Sequence, residues 1–344
     1  MSDLPPSTTV VVTGAAGWLG QNLVRALRDR QQVRCLVASP DEGSSLGLVS
    51  PAVEVIVGDV RDPVTADRLF AGIGEDATVF HAAAVIHPRR RVRELFDVNV
   101  GGTQLVLDRA RRAGVRRFVH VSSNSPFGAN GHPLDRFDED STPNPYMAYG
   151  RSKLEAEGIV ARSHDRGDIT AVIVRPPWFY GPFQPERQSR WFAAVRRGRF
   201  PVVGDGRQRR SMVYAGNLVH GLLRAEVAGA APGRAWWIAD PDPYELREIL
   251  ETVRTALEAE GLAVSGRLRR VPRAVGTIAE VADRVLQSRG RYQQAVHVLG
   301  ELKDTIACDV SAAQREIGYA PSVGLLEGMR ASIRWGLERG MRFE

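Results

Sequence analysis

The chain has 344 residues, 43% of them hydrophobic and 25% charged, with a formal net charge of +6. That is ordinary globular composition, ample for a large core, and Cys35 and Cys308 are too few for a disulfide framework or a cysteine-based metal site. No apolar run approaches the roughly 18 residues that cross a bilayer, and MSDLPPS lacks the basic start and apolar stretch of a signal peptide, so the chain reads as a soluble cytoplasmic protein with a disordered tail over 1–7.

The positive charge comes mainly from arginine clusters, Arg89, Arg90, Arg91 and Arg93, then Arg207, Arg209 and Arg210. Acidic residues are interspersed, and no zinc-finger, helix-turn-helix or RNA-binding signature accompanies the arginines, so solvated surface comes first, an anionic small-molecule site second, and nucleic acid last. The histidines are scattered with no pair at ligand spacing, so no metal site is expected.

Predicted elements alternate through the first half. A β-branched run over Thr8 to Gly14 precedes a helical pattern from Trp18 to Arg28, and Val33 to Val37 is a second strand. Strands follow at Val53 to Asp59, Thr78 to Ala84, Arg117 to Ser123 and Ile169 to Pro176, with helices near Thr65 to Ala71, Asn99 to Ala113 and Tyr149 to Ser163. Near-continuous apolar strands alternating with helices imply an α/β fold, a Rossmann-type doubly wound parallel sheet over 8–176. After a Pro- and Gly-rich loop, a helix near Ser189 to Arg197, a strand at Ala235 to Ala239, an amphipathic helix over Pro243 to Glu260 and a mostly helical end with turns at Gly290 and Gly318 are expected. Segments 177–212 and 241–344 read as a smaller substrate lobe, with 213–240 returning to the sheet domain.

The first strand runs into TGAAGWLG, which places Gly14, Gly17 and Gly20 where a tight turn, a pyrophosphate and close helix packing each demand glycine. An acidic residue at the end of the second strand would bind ribose hydroxyls and an arginine would suit a 2′-phosphate, but Ala38 and Ser39 stand there, so NAD and NADP stay open, with Ser39 or Arg34 as phosphate contacts. GDVRD puts Asp59 after the third strand as an acceptor for an adenine amino group or a simple turn residue, and HAAA supplies three small residues at the end of the fourth. In AYGRSK, Tyr149 and Lys153 share a helix face. Hydride exchange with a secondary alcohol needs a proton acceptor; a lysine ammonium lowers the phenol's pKa, and a strand-end serine holds the substrate oxygen.

In TGAAGWLG, GDVRD, HAAA, Asn99, the VSS strand end, YGRSK and RPPWFYGP, taken in order, the chain resembles an extended short-chain dehydrogenase/reductase of the NAD-dependent epimerase/dehydratase superfamily. The resemblance implies NAD or NADP held by Gly14, Gly17, Trp18, Leu19 and Gly20, by Ala38 and Ser39, by Asp59 and Val60, and by Ala82, Ala83, Ala84 and Pro176. Tyr149 would be the acid/base, Lys153 its partner and a ribose ligand, Ser123 or else Ser122 the substrate donor, and Asn99 a structural helix residue. A small-molecule substrate and a homodimer through the helices after Asn99 and Tyr149 are further implications.

Asn124 and Ser125 replace the Asp-Glu pair of sugar-nucleotide dehydratases, which disfavours dehydration. A hydroxy/keto oxidoreductase resembling the 3β-hydroxysteroid dehydrogenase branch is favoured by VYAGN, with Asn124 and Trp178 at the substrate and Trp178, Phe179, Trp191 and Phe192 lining an apolar cleft or packing between lobes. A nucleotide-sugar epimerase is the alternative, with Arg210 on the substrate pyrophosphate. A non-catalytic nucleotide-binding regulator is the third reading.

Overall fold

The alternating runs of the first half assemble as a layered sheet in a computed structural model that describes residues 2–47, 53–89 and 91–344; Met1 and Arg90 lie outside the described residues. The elements run β1 (Thr9–Thr13), α1 (Trp18–Ala26), β2 (Gln32–Val37), α2 (Pro40–Gly47), β3 (Glu54–Val57), α3 (Pro63–Phe70) and β4 (Ala77–His81). Next come α4 (Arg93–Phe96), a π-helical turn (Asp97–Gly102), α5 (Thr103–Arg112), β5 (Arg117–Val121), α6 (Met147–Asp165) and β6 (Ala171–Arg175). The second half adds β7 (Trp178–Tyr180), α7 (Glu186–Arg196), β8 (Pro201–Val203), β9 (Arg209–Arg210), β10 (Met212–Tyr214), α8 (Ala215–Val227) and β11 (Ala235–Trp237). It ends with β12 (Tyr244–Glu245), α9 (Leu246–Ala259), β13 (Arg269–Val271), α10 (Arg273–Ser288), α11 (Gln294–Glu301), α12 (Ser311–Ile317) and α13 (Leu325–Glu338).

Seven strands pair in the order β11-β6-β5-β4-β1-β2-β3, every neighbour parallel. Alternation along β1 decides the two layers. Val10 and Val12 pack with Leu19, Leu23 and Val24 of α1, whereas Val11 faces Leu69, Leu107 and Phe118 on the other side. Each such fully buried aliphatic side chain contributes about 1.5–3 kcal/mol. The chain order reverses between β1 and β4, the crevice where open α/β sheets receive ligands.

In the second core, the apolar stripe of α9, Leu246, Ile249, Leu250, Val253 and Leu257, packs with Met329 and Ile333 of α13. Tyr244 and Glu245, expected to open that helix, instead pair with Arg210 and Arg209, and the helix starts at Leu246 with Glu245 and Glu248 forming a capping box. Asp240, 1% exposed, joins the two cores: the hydroxyls of Tyr180 and Tyr244 donate to its carboxylate at 2.8 and 3.3 Å, and Asn217 Nδ2 donates at 3.3 Å.

The expected disordered tail is pinned from Asp3 onward. Leu4 N donates to Val227 O at 2.7 Å, Asp3 pairs with Arg224, and Ser7 is buried with its N–H on Glu226 and its hydroxyl on Thr78. Polar composition suggested disorder, but buried partners supplied by distant elements satisfy this backbone. No helix among the described residues is long and apolar enough to cross a membrane.

Candidate active site

The turn from β1 to α1 is a cradle that only glycine fills. Gly14 has φ +68°, and a Cβ there would stand 2.7 Å from Ala83 N; a Cβ at Gly17 would meet Gly14 O at 3.1 Å, and one at Gly20 would overlap the carbonyls of Gly14 and Ala15. The end of β4 presses onto this turn: Ala82 N donates to Thr13 O at 3.2 Å and Ala83 N to Thr13 Oγ1 at 3.3 Å. The first-turn N–H groups of α1, at Trp18, Leu19 and Gly20, have no acceptor within the helix, which suits a pyrophosphate. These residues therefore fit a dinucleotide. The Trp18 side chain is used elsewhere, its Nε1 donating to Pro182 O at 2.8 Å, and Leu19 is core.

At the tip of β2 the acidic residue missing from the sequence reading is present by another route. The chain turns straight into α2, and Glu42 folds back so that its carboxylate accepts the Ala38 N–H at 2.8 Å. Ser39 Oγ accepts the Glu42 N–H at 3.3 Å as a cap for that helix. Arg34 is not available to a phosphate: it is buried, paired with Glu54 at 2.7 Å and donating to the carbonyls of Leu69 and Ala71. Asp59, beyond β3, forms an ion pair with Arg61 that holds its carboxyl below the usual range, and Val60 leans against Gly102.

AYGRSK opens α6. Gly150 lets the helix touch the loop after β5, since a Cβ there would overlap Ser125 O, and Met147 enters the helix with φ 52°. Tyr146 N donates to Ser125 O at 3.0 Å, and Gln287 of α10 accepts the Ala148 N–H at 3.1 Å. Asn99, fully buried in the π-helical turn that replaces the start of the expected helix, exchanges two hydrogen bonds with the Val85 backbone, at 2.8 and 2.9 Å, and donates to Ser152 Oγ at 3.0 Å. It ties the loop beyond β4 to the tyrosine helix.

Ser123, not Ser122, accompanies the Tyr149 phenol. Ser122 Oγ is buried without a partner, whereas Ser123 Oγ bonds within its own loop to Asn124 Oδ1 and Ser125 Oγ, both at 3.3 Å, and still lies close enough to draw the phenol's pKa down. Asn124 N donates to Pro176 O at 3.1 Å, joining the ends of β5 and β6. Burial outweighs these influences and pushes Tyr149 up to about 12, with Ser123 and the Arg187 guanidinium opposing it.

The expected action of Lys153 on the phenol is not what this geometry provides. Lys153 is 1% exposed, and its Nζ donates to Val121 O at 2.7 Å and lies 3.5 Å from His120 Nε2. Burial pushes its ammonium down to about 8 against the opposing Glu157 carboxylate. Beneath it His120 stacks on His81, ring centroids 5.5 Å apart, and His81 is held between the hydroxyls of Thr13 at 2.8 Å and Thr103 at 2.9 Å. Desolvation holds His81 at about 3 and His120 well below the ordinary range, so both rings are neutral.

On the substrate side, Arg210 is already engaged: Nη2 donates to the Glu301 carbonyl and Nη1 lies 3.5 Å from its carboxylate, with the residue 9% exposed. Phe192 is fully buried and Trp191 nearly so; Trp178, half-buried, packs edge-on to Trp191 at 4.9 Å, and Phe179 packs on Trp18 at 4.6 Å. Interlobe packing therefore takes most of this aromatic set. The sequence reading missed His87 and Tyr292, which share a hydrogen bond of 2.6 Å between Nδ1 and Oη, and Arg187 on the first turn of α7.

A switch-point glycine cradle with Ser123, Tyr149 and Lys153 at the β5 edge defines a protein of the extended short-chain dehydrogenase/reductase class. The chain belongs to the NAD dependent epimerase/dehydratase family, whose model matches residues 10–239. It is 40% identical over 360 residues to an uncharacterized protein of Sinorhizobium fredii, covering 100% of both chains. To the 4-hydroxy-2-methyl-3-oxo-4-farnesyl-3,4-dihydroquinoline-1-oxide ketoreductase of Stigmatella aurantiaca it is 32% identical, covering 93% of this chain and 94% of the relative. It is 35% identical to 3 beta-hydroxysteroid dehydrogenase/Delta 5-->4-isomerase of Mycobacterium tuberculosis over 73% of this chain and 69% of that one. The UDP-glucuronic acid 4-epimerase from Bacillus cereus in complex with NAD shares the fold, with a TM-score of 0.74 and 21% identity over 97% of this chain and 100% of the other.

Proposed function

We propose that this protein is an NAD(P)-dependent oxidoreductase that interconverts a secondary alcohol and a ketone, with Tyr149 as its proton donor and acceptor. The observation that carries the reading is the partly buried Tyr149 phenol beside Ser123, at the sheet edge served by the glycine cradle. When bound, the nicotinamide supplies or accepts the hydride at the carbinol carbon. In reduction Tyr149 Oη gives its proton to the substrate oxygen; in oxidation the phenolate takes it back, and Ser123 Oγ donates to the same oxygen throughout. Lys153, whose ammonium is held on Val121 O, is the candidate ligand for the cofactor ribose.

Arg210 favours this reading over a nucleotide-sugar epimerase, because the guanidinium that would meet a pyrophosphate is occupied by Glu301. The named activities of the ketoreductase and hydroxysteroid dehydrogenase relatives support it too. The test is to follow reduced-nicotinamide absorbance with steroids, hydroxyketones and UDP-sugars. Net conversion on an alcohol or ketone is expected, and product formed from a UDP-sugar without net conversion would replace this reading with the epimerase.

A further inference from the structure

The helix that carries Tyr149 begins without a cap of its own. A helix leaves its first N–H groups unsatisfied, and the residue before it ordinarily accepts one of them through a short polar side chain. Tyr146 occupies that position in α6 and makes no side-chain cap bond; its hydroxyl is buried without a partner, and its ring packs on His297 at 5.2 Å. The next residue, Met147, turns through φ 52°, a left-handed conformation that persists in a non-glycine residue only where its surroundings hold it. Tyr149 lies in this same first turn.

Two hydrogen bonds bracket the strained residue. Tyr146 N donates to Ser125 O at 3.0 Å on one side, and Ala148 N donates to Gln287 Oε1 at 3.1 Å on the other. The second is a helix cap delivered from α10, 139 residues along the chain. Gln287 can serve because its amide is oriented: Nε2 donates to Asp283 Oδ2 at 2.9 Å, which leaves Oε1 facing the backbone. The same Asp283 oxygen accepts from His297 Nδ1 at 2.7 Å, and Gln287, Asp283 and His297 are all buried. Gly300 lets α11 close on α10 and so brings His297 within reach; a Cβ there would meet Glu280 N at 2.9 Å. The end of α10 is fixed in turn on the loop beyond β4, where Val92 N donates to Gly290 O at 3.2 Å and His87 Nδ1 lies 2.6 Å from Tyr292 Oη.

We propose that Gln287 is a positioning residue for Tyr149: it caps the first turn of α6 from α10, and Asp283 and His297 hold its amide in the orientation that does so. The polarity of the chain of bonds is set by chemistry, since the Ala148 N–H must meet an acceptor and the Asp283 carboxylate must meet donors. Without the cap, Met147 relaxes toward an ordinary φ and the turn carries the phenol away from Ser123. A displacement of about 1 Å in a reacting group costs on the order of 100-fold in rate. The inference rests on the oxidoreductase reading for the proton that Tyr149 transfers, whereas the cap is measurable without turnover.

The test compares wild type, Gln287→Leu and the double variant Gln287→Glu/Asp283→Asn. Leucine keeps the size and burial of the side chain but removes the acceptor; the double variant keeps an acceptor at position 287 and puts a donor opposite it at position 283. Amide hydrogen exchange over the first turn of α6 should speed up by roughly tenfold in Gln287→Leu while β5 keeps its protection. With a steroid or hydroxyketone that the wild type converts, kcat should fall by roughly tenfold or more, with KM and NADH affinity nearly unchanged. The double variant should regain most of both losses, and it decides the matter if Gln287→Leu does not fold. Faster exchange with full turnover, KM and NADH affinity damaged in step with kcat, or a double variant that regains nothing would each overturn the inference. Unaltered exchange in a Gln287→Leu protein that still converts ketones sinks it and leaves the oxidoreductase standing. Faster exchange in Gln287→Leu, in a protein whose wild type turns over no alcohol or ketone, sinks the oxidoreductase reading and leaves Gln287 as the cap of α6.

Discussion

The Lys153 ammonium donates to the Val121 carbonyl at 2.7 Å, while Tyr149, four residues earlier on the same helix, keeps a phenol that burial has pushed up to about 12. At neutral pH the tyrosine is therefore a proton donor, the form that reduction uses. Oxidation needs the phenolate, whose fraction grows tenfold with each pH unit below that value. The oxidation rate should climb with a slope of about one in log units between roughly pH 7 and 10 while reduction stays nearly flat. Tyr149→Phe should lose at least about 100-fold in turnover with NAD affinity nearly unchanged. A flat oxidation profile, or an active phenylalanine variant, contradicts the assignment.

Glu42 predicts cofactor choice. Its carboxylate, held on Ala38 N at the tip of β2, stands where an acidic group accepts from ribose hydroxyls and repels a 2′-phosphate. NADH should bind more tightly than NADPH, and Glu42→Gln should narrow that preference by roughly tenfold, as read by cofactor fluorescence titration. Tighter binding of NADPH by the wild type would remove Glu42 from this role.

Acid should destabilise the fold through its buried imidazoles. His81 is held at about 3 and His120 well below its ordinary value, whereas both titrate near 6.5 in the unfolded chain. Below about pH 6 the unfolded state binds protons that the folded state refuses, so stability falls as pH falls, by about 1.4 kcal/mol per pH unit for each histidine. Urea unfolding at pH 7, 6 and 5 measures the slope, which His120→Phe should reduce by about a third, because His81 and His87 are depressed as well. An unchanged slope in that variant would mean that other groups govern acid unfolding.

Gly150→Ala should damage stability and turnover together. The added methyl overlaps Ser125 O and forces α6 away from the loop that carries Ser123, at a cost of about 1–3 kcal/mol. Gly74→Ala, where a Cβ meets nothing within 4 Å, is the control and should stay within about 0.5 kcal/mol of wild type. Similar urea midpoints for the two variants would refute the packing argument.

The parts of the site that were legible in the sequence are those written locally. The β-branched runs, the glycine spacing of TGAAGWLG and the Tyr149–Lys153 offset each depend on residues within a turn or a strand of one another. Glu42 was missed because α2 is short and polar, PDEGSSLG, and gives no apolar period to show that the chain folds back over the end of β2. His87 and Tyr292 lie 205 residues apart, and only the docking of α10 onto α6 brings them together. Arg210 was misread for a similar reason: its partner Glu301 comes from α11, and an arginine-rich run looks the same whether its members are paired or free. The direction in which Lys153 points is set by burial against β5, which helical spacing does not encode.

The π-helical turn at Asp97–Gly102 adds an oddity to the mutational behaviour of this chain. A wide turn is one residue longer than regular geometry requires, so deleting a single residue there would give an ordinary continuous helix with a better hydrogen-bond ladder. The same deletion would rotate whatever lies on one side of it by about 100° relative to the other. Asn99 would then lose Val85 and Ser152, and with them the only polar strap described between the loop beyond β4 and the tyrosine helix. A shortened protein of this kind would be locally more regular and catalytically worse, which explains why an imperfection in a helix can be kept as a working part.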